Sequence, residues 1–281
     1  MPVNTTLKLA ILMTCYNRVE KTLKCLDSLH KASVPDNVKF DIYLVDDNSP
    51  DKTGKIVKNN YPDINVIPGT GYLYWNRGMR LAWKNARRQH DYDFYLLVND
   101  DVFINTDAIK IIFSDYYSLL NDGIEAIVSG VCKCSNSLDV TYGGSNEEHK
   151  VIVPNGLPRL CKYTNCNFTL VSKKIFHKIG YLSYKYIHAA GDHDYGLRAT
   201  KAGFKCYISS SVLAICDGHI EEQDWLSADF SLQKRLKNLF SIKGWDYFFF
   251  AIEDHGLFLA ISHIVKGFLR AVFPTIIRKV K

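Results

Sequence analysis

Through the first ~215 residues, short apolar runs alternate with longer stretches whose apolar positions recur at helical spacing. Leu9–Met13, Phe40–Val45, Ile64–Ile67, Phe94–Val98 and Ala126–Ser129 are runs of strand length. Between them, Val19, Leu23, Leu26 and Leu29 share one face of a helix that Asn17 can cap, since residues three and four apart are neighbours on a helix surface. Trp75–Arg88 and Asp107–Leu120 read as further helices. Beyond residue 140 the pattern loosens into loops marked by Tyr142-Gly143-Gly144 and Pro154-Asn155-Gly156. It resumes with a strand at Phe168–Val171, a helix at Lys173–Ile179 stopped by Gly180, a helix at Asp192–Ala202 and a strand at Phe204–Ile208. This alternation predicts an α/β fold with a mostly parallel central sheet.

Three of the strands end in polar clusters: Thr14-Cys15-Tyr16-Asn17, Asp46-Asp47-Asn48-Ser49 and Asn99-Asp100-Asp101. In an open parallel sheet, ligands bind at the carboxyl ends of strands, so these clusters are expected to meet on one edge. Gly69-x-Gly71 lacks the third glycine of a dinucleotide fingerprint and opens no helix after a first strand, and no phosphate-cradling G-x-x-x-x-G-K-[ST] exists. A dehydrogenase and a P-loop NTPase are thereby set aside.

Composition adds two points. Hydrophobic residues make up 47% and charged residues 23%, a balance of a globular chain rather than a disordered one. The net charge of +6 is unevenly placed: Lys266, Arg270, Arg278, Lys279 and Lys281, with no acid among them, give residues 256–281 a charge of +5 and leave +1 for the rest. A near-neutral body argues against nucleic acid as a partner. No basic segment followed by an apolar stretch opens the chain, so a cytoplasmic protein is expected. Its eight cysteines are then expected to be reduced, and Cys132-x-Cys134 has no second pair to make a zinc site.

Residues able to carry chemistry are few. A strand-end carboxylate pair such as Asp100-Asp101 is a natural ligand set for Mg²⁺ or Mn²⁺, and equally an ordinary cap or solvated turn. Asp192, at the expected mouth of a helix, is a good cap and also a candidate general base; Asp194 can cap the same helix or pair with Arg198. His219, after the last strand, is a lone histidine, and Arg77 at a helix start could face a diphosphate.

Five segments together resemble family 2 glycosyltransferases. Ile11-Leu-Met-Thr-Cys-Tyr-Asn17 and Leu44-Val-Asp-Asp-Asn-Ser49 are similar to the opening motifs, and Gly71-Tyr-Leu-Tyr-Trp-Asn-Arg-Gly-Met79 to a helix start in a bacterial polysaccharide branch. Leu97-Val-Asn-Asp-Asp101 resembles the metal-binding DxD element, and Gly191-Asp-His-Asp-Tyr-Gly-Leu-Arg-Ala-Thr-Lys-Ala-Gly203 the segment bearing the base. The resemblance spans about residues 8–220 and implies a GT-A nucleotide-sugar-binding fold, with inverting transfer from a nucleoside-diphosphate sugar. It implies that Thr14 and Tyr16 line the base and ribose pocket, that Asp47 accepts from a pyrimidine N–H with Asp46 close by, and hence a UDP- or dTDP-linked donor. It assigns Asp101 to a divalent Mn²⁺ or Mg²⁺, Asp100 to the ribose or metal, Asp192 to the catalytic base and His219 to a further metal ligand. Two departures stand: Asn99 replaces the first carboxylate of DxD, and Gly191 precedes Asp192 where a glutamate is commoner. The similar branch includes O-antigen and capsule enzymes, some of them rhamnosyltransferases, with saccharide or polyprenyl-linked acceptors. A nucleotidyltransferase shares the strand-end acidic geometry but wants a Gly-rich basic loop where Thr14–Arg18 stands, and a non-catalytic sugar-binding scaffold would have no need to keep Asp47, Asp101 and Asp192 together.

The chain is thus expected to divide into a catalytic domain over residues 1–222 and a C-terminal helical region over 223–281. From Gly256 to Phe273 a broad apolar helix carries one polar stripe through Ser262, Lys266 and Arg270. Its uncharged run before Lys266 is ten residues, too short to span a bilayer. A basic helix with a wide apolar face suits an anionic membrane surface, with Trp245–Phe250 at headgroup level. That makes the protein peripheral at the cytosolic face of the inner membrane; packing on the catalytic domain or in a homodimer is the alternative.

Overall fold

The computed structural model describes residues 6–217 and 227–274. The strands are β1 (Leu7–Cys15), β2 (Val38–Asp46), β3 (Asn65–Pro68), β4 (Phe94–Val98), β5 (Phe103–Ile104), β6 (Ala126–Lys133), β7 (Val140–Tyr142), β8 (Gly144–Ser145), β9 (Arg159–Cys161), β10 (Tyr163–Thr164), β11 (Phe168–Ser172) and β12 (Lys205–Ile215). The helices are α1 (Val19–Lys31), α2 (Thr53–Asn60), α3 (Tyr74–Gln89), α4 (Ala108–Asn121), α5 (Lys173–Ile179), α6 (Gly191–Lys201), α7 (Leu232–Leu239), α8 (Ile242–His255) and α9 (Leu257–Val272).

The main sheet runs β3-β2-β1-β4-β11-β6-β12-β5, with β7 beside β6 and β9 beside β12. β3, β2, β1 and β4 are mutually parallel, as are β6 and β12, while β11 lies antiparallel between β4 and β6. Side chains alternate across the sheet. Leu9, Ile11 and Met13 enter a core with α1 and α4, whereas Ala10 and Leu12 enter a second core with α3, α5 and α6. Burial on both faces is why these strands read as unbroken apolar runs.

Two local details differ from the sequence reading. Asn17 does not cap α1: it sits in a left-handed turn at φ 54° and its N–H donates to Ser49 Oγ at 3.0 Å. The cap comes from the next loop instead, where Asp51 accepts from Val19 N at 3.0 Å. α2 has too short an apolar face to show in the sequence; its start is held by Asp51 accepting from Thr53 N and Asp46 accepting from Gly54 N, each at 3.0 Å.

After β12 the chain returns as α7–α9. Gly256, at φ 87°, makes the turn between α8 and α9, and Arg235 of α7 donates to the Ala271 carbonyl at 2.7 Å. α8 packs against the catalytic body through Phe250, which meets Tyr163 and His193, and through Asp254, which accepts from the Tyr163 hydroxyl at 2.6 Å. No helix among the described residues is long and apolar enough to cross a membrane.

Candidate active site

Because β1, β2 and β4 are parallel, their carboxyl ends open on the same edge. β11 runs the other way and so presents the segment before its first residue there, with the Asn99 N–H donating to the Asn167 carbonyl at 2.9 Å. These ends form a cleft of about 1260 Å³. Of the expected residues, Thr14, Tyr16, Asp47, Asp100, Asp101 and Asp192 all line it. His219 lies outside the described residues.

Asp47 is buried and folds the loop in front of α3. Its carboxylate accepts from Gly71 N at 2.7 Å, Leu73 N at 2.9 Å and Tyr74 N at 3.1 Å. A carboxylate has about four acceptor positions, so one is left for a ligand N–H. Tyr74 is held at φ 54°, an uncommon conformation for an aromatic residue, by this anchoring. Behind it α3 approaches β1 closely: a Cβ on Gly78 would overlap the Thr14 hydroxyl.

Asp46 and Arg77 do not line the cleft. The Asp46 carboxylate is consumed by Ser49 N at 3.1 Å and Gly54 N at 3.0 Å, because the side chain at a strand's last residue points to the face opposite its neighbour's. The Arg77 guanidinium stacks 4.3 Å from the Tyr184 ring centroid and is not among the residues lining the cleft.

At the end of β4, Asn99 accepts from the Trp75 indole N–H at 2.7 Å. Asp100 is buried and accepts from Thr22 Oγ1 at 3.4 Å; Asp101 is more open to the cleft. Arg18 Nη1 lies 3.3 Å from Asp100 and 2.9 Å from Asp101, so one guanidinium bridges both carboxylates. Burial pushes the Asp100 carboxyl up to about 7; Arg18 pulls it down and Asp101 adds to the rise. Sequence reasoning missed Arg18, although it directly follows the first strand-end cluster.

The donor set suits a hard divalent ion: two adjacent carboxylates opening on the cleft, drawing one protein cation to the place an ion would occupy. Among the described residues no third His, Cys, Asp or Glu joins them. The other ligands would therefore come from water and substrate phosphates, the usual habit of Mg²⁺. All eight cysteines are free and buried, and burial raises the Cys15 and Cys216 thiols beside this pair.

Asp192 sits in the first turn of α6. It accepts from His193 N at 2.9 Å and Cys166 N at 3.4 Å, and its carboxylate lines the cleft. Asp194 is buried, paired with Arg198 at 2.8 Å and absent from the cleft wall. The cleft is completed by Asn165 and Asn167 before β11 and by Lys243 and Tyr247 of α8.

A sequence profile described as glycosyl transferase family 2 matches residues 10–177. The chain belongs to that family. As a family 2 glycosyltransferase it also has the expected fold among solved structures. The mannosyltransferase PcManGT of Pyrobaculum calidifontis, in complex with GDP-Man and Mn²⁺, aligns with a TM-score of 0.57 at 15% identity, over 96% of this chain and 71% of that one. S. aureus TarS 1–349 in complex with UDP-GlcNAc aligns with a TM-score of 0.56 at 17% identity, over 95% of this chain and 82% of that one. A longer TarS structure gives a TM-score of 0.58 at 16% identity, and this chain spans 49% of it. No curated protein matches the chain. The fold is GT-A, with a mostly parallel sheet.

Proposed function

We propose that this glycosyltransferase moves a sugar, with inversion, from a UDP- or dTDP-linked donor to a hydroxyl of a saccharide or polyprenyl-linked oligosaccharide acceptor. The observation that carries the reading is the meeting of Asp47, the Asp100-Asp101 pair and Asp192 on one cleft.

Inversion requires a single displacement at the anomeric carbon, with nucleophile and leaving group on opposite faces. Asp47 holds the nucleoside end through its remaining acceptor position. Asp101 and Asp100 would hold Mn²⁺ or Mg²⁺, which supplies charge stabilisation to the departing diphosphate. Asp192, lining the same cleft, takes the proton from the attacking acceptor hydroxyl at its carboxylate oxygen, a contribution of about 10²–10⁴-fold. Tyr16, largely exposed at the rim, stacks on or edges the base, and Thr14 closes the pocket floor.

The setting is cell-surface polysaccharide synthesis of the O-antigen kind, at the cytosolic face of the inner membrane. Support comes from α9, whose Leu257, Phe258, Ile261, Val265 and Phe268 are exposed beside Lys266 and Arg270. Upstream, Trp245 and Phe249 are exposed while Asp246 and Phe250 are buried, so only one face of α8 can join the apolar surface.

A panel of nucleotide sugars, including UDP-, dTDP- and GDP-linked ones, assayed with Mn²⁺ and with Mg²⁺ for release of the nucleoside diphosphate, tests the reading. Release from one donor class that stops in excess EDTA is expected. Undiminished release in EDTA removes the metal, and no release with any donor in the presence of mixed acceptors favours a sugar-binding scaffold.

A further inference from the structure

The segment that delivers the base is held from two directions. From α3, Asn76 is fully buried and donates to the carbonyls of Ser183 at 2.8 Å and Tyr186 at 2.7 Å. From α8, some sixty residues away in sequence, the buried carboxylate of Asp246 accepts from Ile187 N at 3.1 Å, His188 N at 2.7 Å and Ala189 N at 2.8 Å. The next residue, Ala190, adopts a left-handed conformation at φ 58°, unusual for a residue with a Cβ, and Gly191 and Asp192 follow at once as the first turn of α6. A strained turn persists only where its surroundings over-determine it. Here three successive N–H groups converge on one carboxylate immediately before the strained residue.

The same helix reaches the cleft itself. Lys243, Asp246, Tyr247 and Phe250 fall at i, i+3, i+4 and i+7, one stripe of α8. Lys243 and Tyr247 line the cleft, Asp246 holds the loop, and Phe250 packs against the ring of His193, the residue after the base.

We propose that Asp246 is a positioning residue for the reaction: by gathering the 187–189 amides it fixes the Ala190 turn and so the direction in which Asp192 meets the acceptor hydroxyl. The inference rests on Asp192 being the base. It makes α8 part of the catalytic apparatus rather than a spacer leading to a membrane-facing helix.

The test uses the full chain in five forms: wild type, Asp246→Asn, Asp246→Leu, Asp192→Asn, and the double variant Asp192→Asn with Asp246→Asn. UDP and GDP binding in the presence of Mn²⁺ is read by calorimetry, and turnover as nucleoside diphosphate release from the donor that the panel selects. A displacement of about 1 Å at a reacting group can cost about 10²-fold. Asp246→Asn, which keeps one acceptor oxygen, is expected to lower kcat about tenfold and Asp246→Leu about a hundredfold. Donor KM and nucleotide Kd stay within about twofold, and on the Asp192→Asn background the second substitution removes nothing further. Turnover of Asp246→Asn and Asp246→Leu at the wild-type rate overturns the proposal. So does an equal loss on both backgrounds, or a loss carried by nucleotide affinity. If Asp246→Leu does not fold, Asp246→Asn with an unchanged melting temperature decides alone. Near-wild-type turnover by Asp192→Asn instead sinks the base assignment, whatever Asp246 does.

Discussion

The two walls of the cleft are built differently. The proposed donor wall is made of strand ends, each held by groups from neighbouring loops: Asp47 takes the amides of Gly71, Leu73 and Tyr74, and Arg18 spans the two carboxylates that follow β4. The proposed base wall is made of a segment with little regular structure of its own, residues 183–190, fixed by Asn76 over a hundred residues upstream and Asp246 some sixty residues downstream. The donor wall depends on the sheet, the most buried part of the molecule. The base wall depends on the docking of a peripheral helix. Nucleotide binding and proton transfer should therefore fail separately when the walls are perturbed one at a time.

The largest effect expected is from Asp192→Asn. If Asp192 is the base as proposed, its loss should lower turnover about 10²–10⁴-fold while UDP or GDP affinity in Mn²⁺ is unchanged. A parallel loss of nucleotide affinity would mean that the walls are not independent. Asp101→Asn should do the reverse on the donor wall: Mn²⁺ binding, followed by electron paramagnetic resonance, weakens by at least tenfold, because one of only two carboxylates in the described donor set is gone.

Arg18→Gln sharpens the comparison within the donor wall. Arg18 pairs with the same two carboxylates that are proposed to hold a divalent ion, so the two would compete. A half-exposed ion pair is worth about 1 kcal/mol at most, so in the absence of nucleotide the variant should bind Mn²⁺ up to about fivefold more tightly. Weaker binding would mean that Arg18 organises the pair for the metal instead of standing in for it.

Gly191→Ala addresses the join between the walls. A Cβ at Gly191 would overlap the Asn76 amide oxygen, which is buried and already committed through its nitrogen to two carbonyls. Overpacking of this kind costs about 1–3 kcal/mol, seen as a lower melting temperature, and turnover should fall more than nucleotide affinity. This also explains why glycine stands before Asp192: no side chain fits between α6 and Asn76.

How much of this was legible follows the same division. The strands of the donor wall announce themselves because burial on both faces makes them continuous apolar runs, and parallel topology puts their polar ends together. Thr14, Asp47 and Asp101 could be placed on the cleft from that alone. The apolar pattern alone does not tell Asp46 from Asp47, and the resemblance, which gives the pyrimidine to Asp47, still keeps Asp46 close by; the pleat of β2 sends Asp46 to the α2 cap and Asp47 to the cleft. Asn17 looked like a cap because the true cap, Asp51, lies in another loop. On the base wall, Asp192 and Asp194 share the first turn of α6, and the distinction between them is tertiary: Arg198 claims Asp194. Asp246 carries no signal at all, being one acid in an aromatic stretch, and its contacts with the 187–189 amides exist only when α8 is docked.

The smallest effect concerns what the base wall is tied to. α8 turns at Gly256 into α9, whose exposed apolar side chains include Phe258 at 85% exposure and whose cations Lys266 and Arg270 lie on the same helix. If this surface lies on an anionic membrane, each cation near the headgroups adds about 1 kcal/mol, or about fivefold in partitioning. Lys266→Gln should then weaken sedimentation with vesicles containing anionic lipid about fivefold, leave binding to neutral vesicles unaffected, and spare Mn²⁺-dependent nucleotide binding, because among the described residues α9 supplies none of the cleft lining. Equal partitioning of wild type and variant, with α9 instead buried in a dimer seen by light scattering, would assign the apolar face to a second copy of the chain. In that case the base wall would be braced by a neighbouring subunit rather than by the bilayer, and its sensitivity should follow protein concentration instead of lipid.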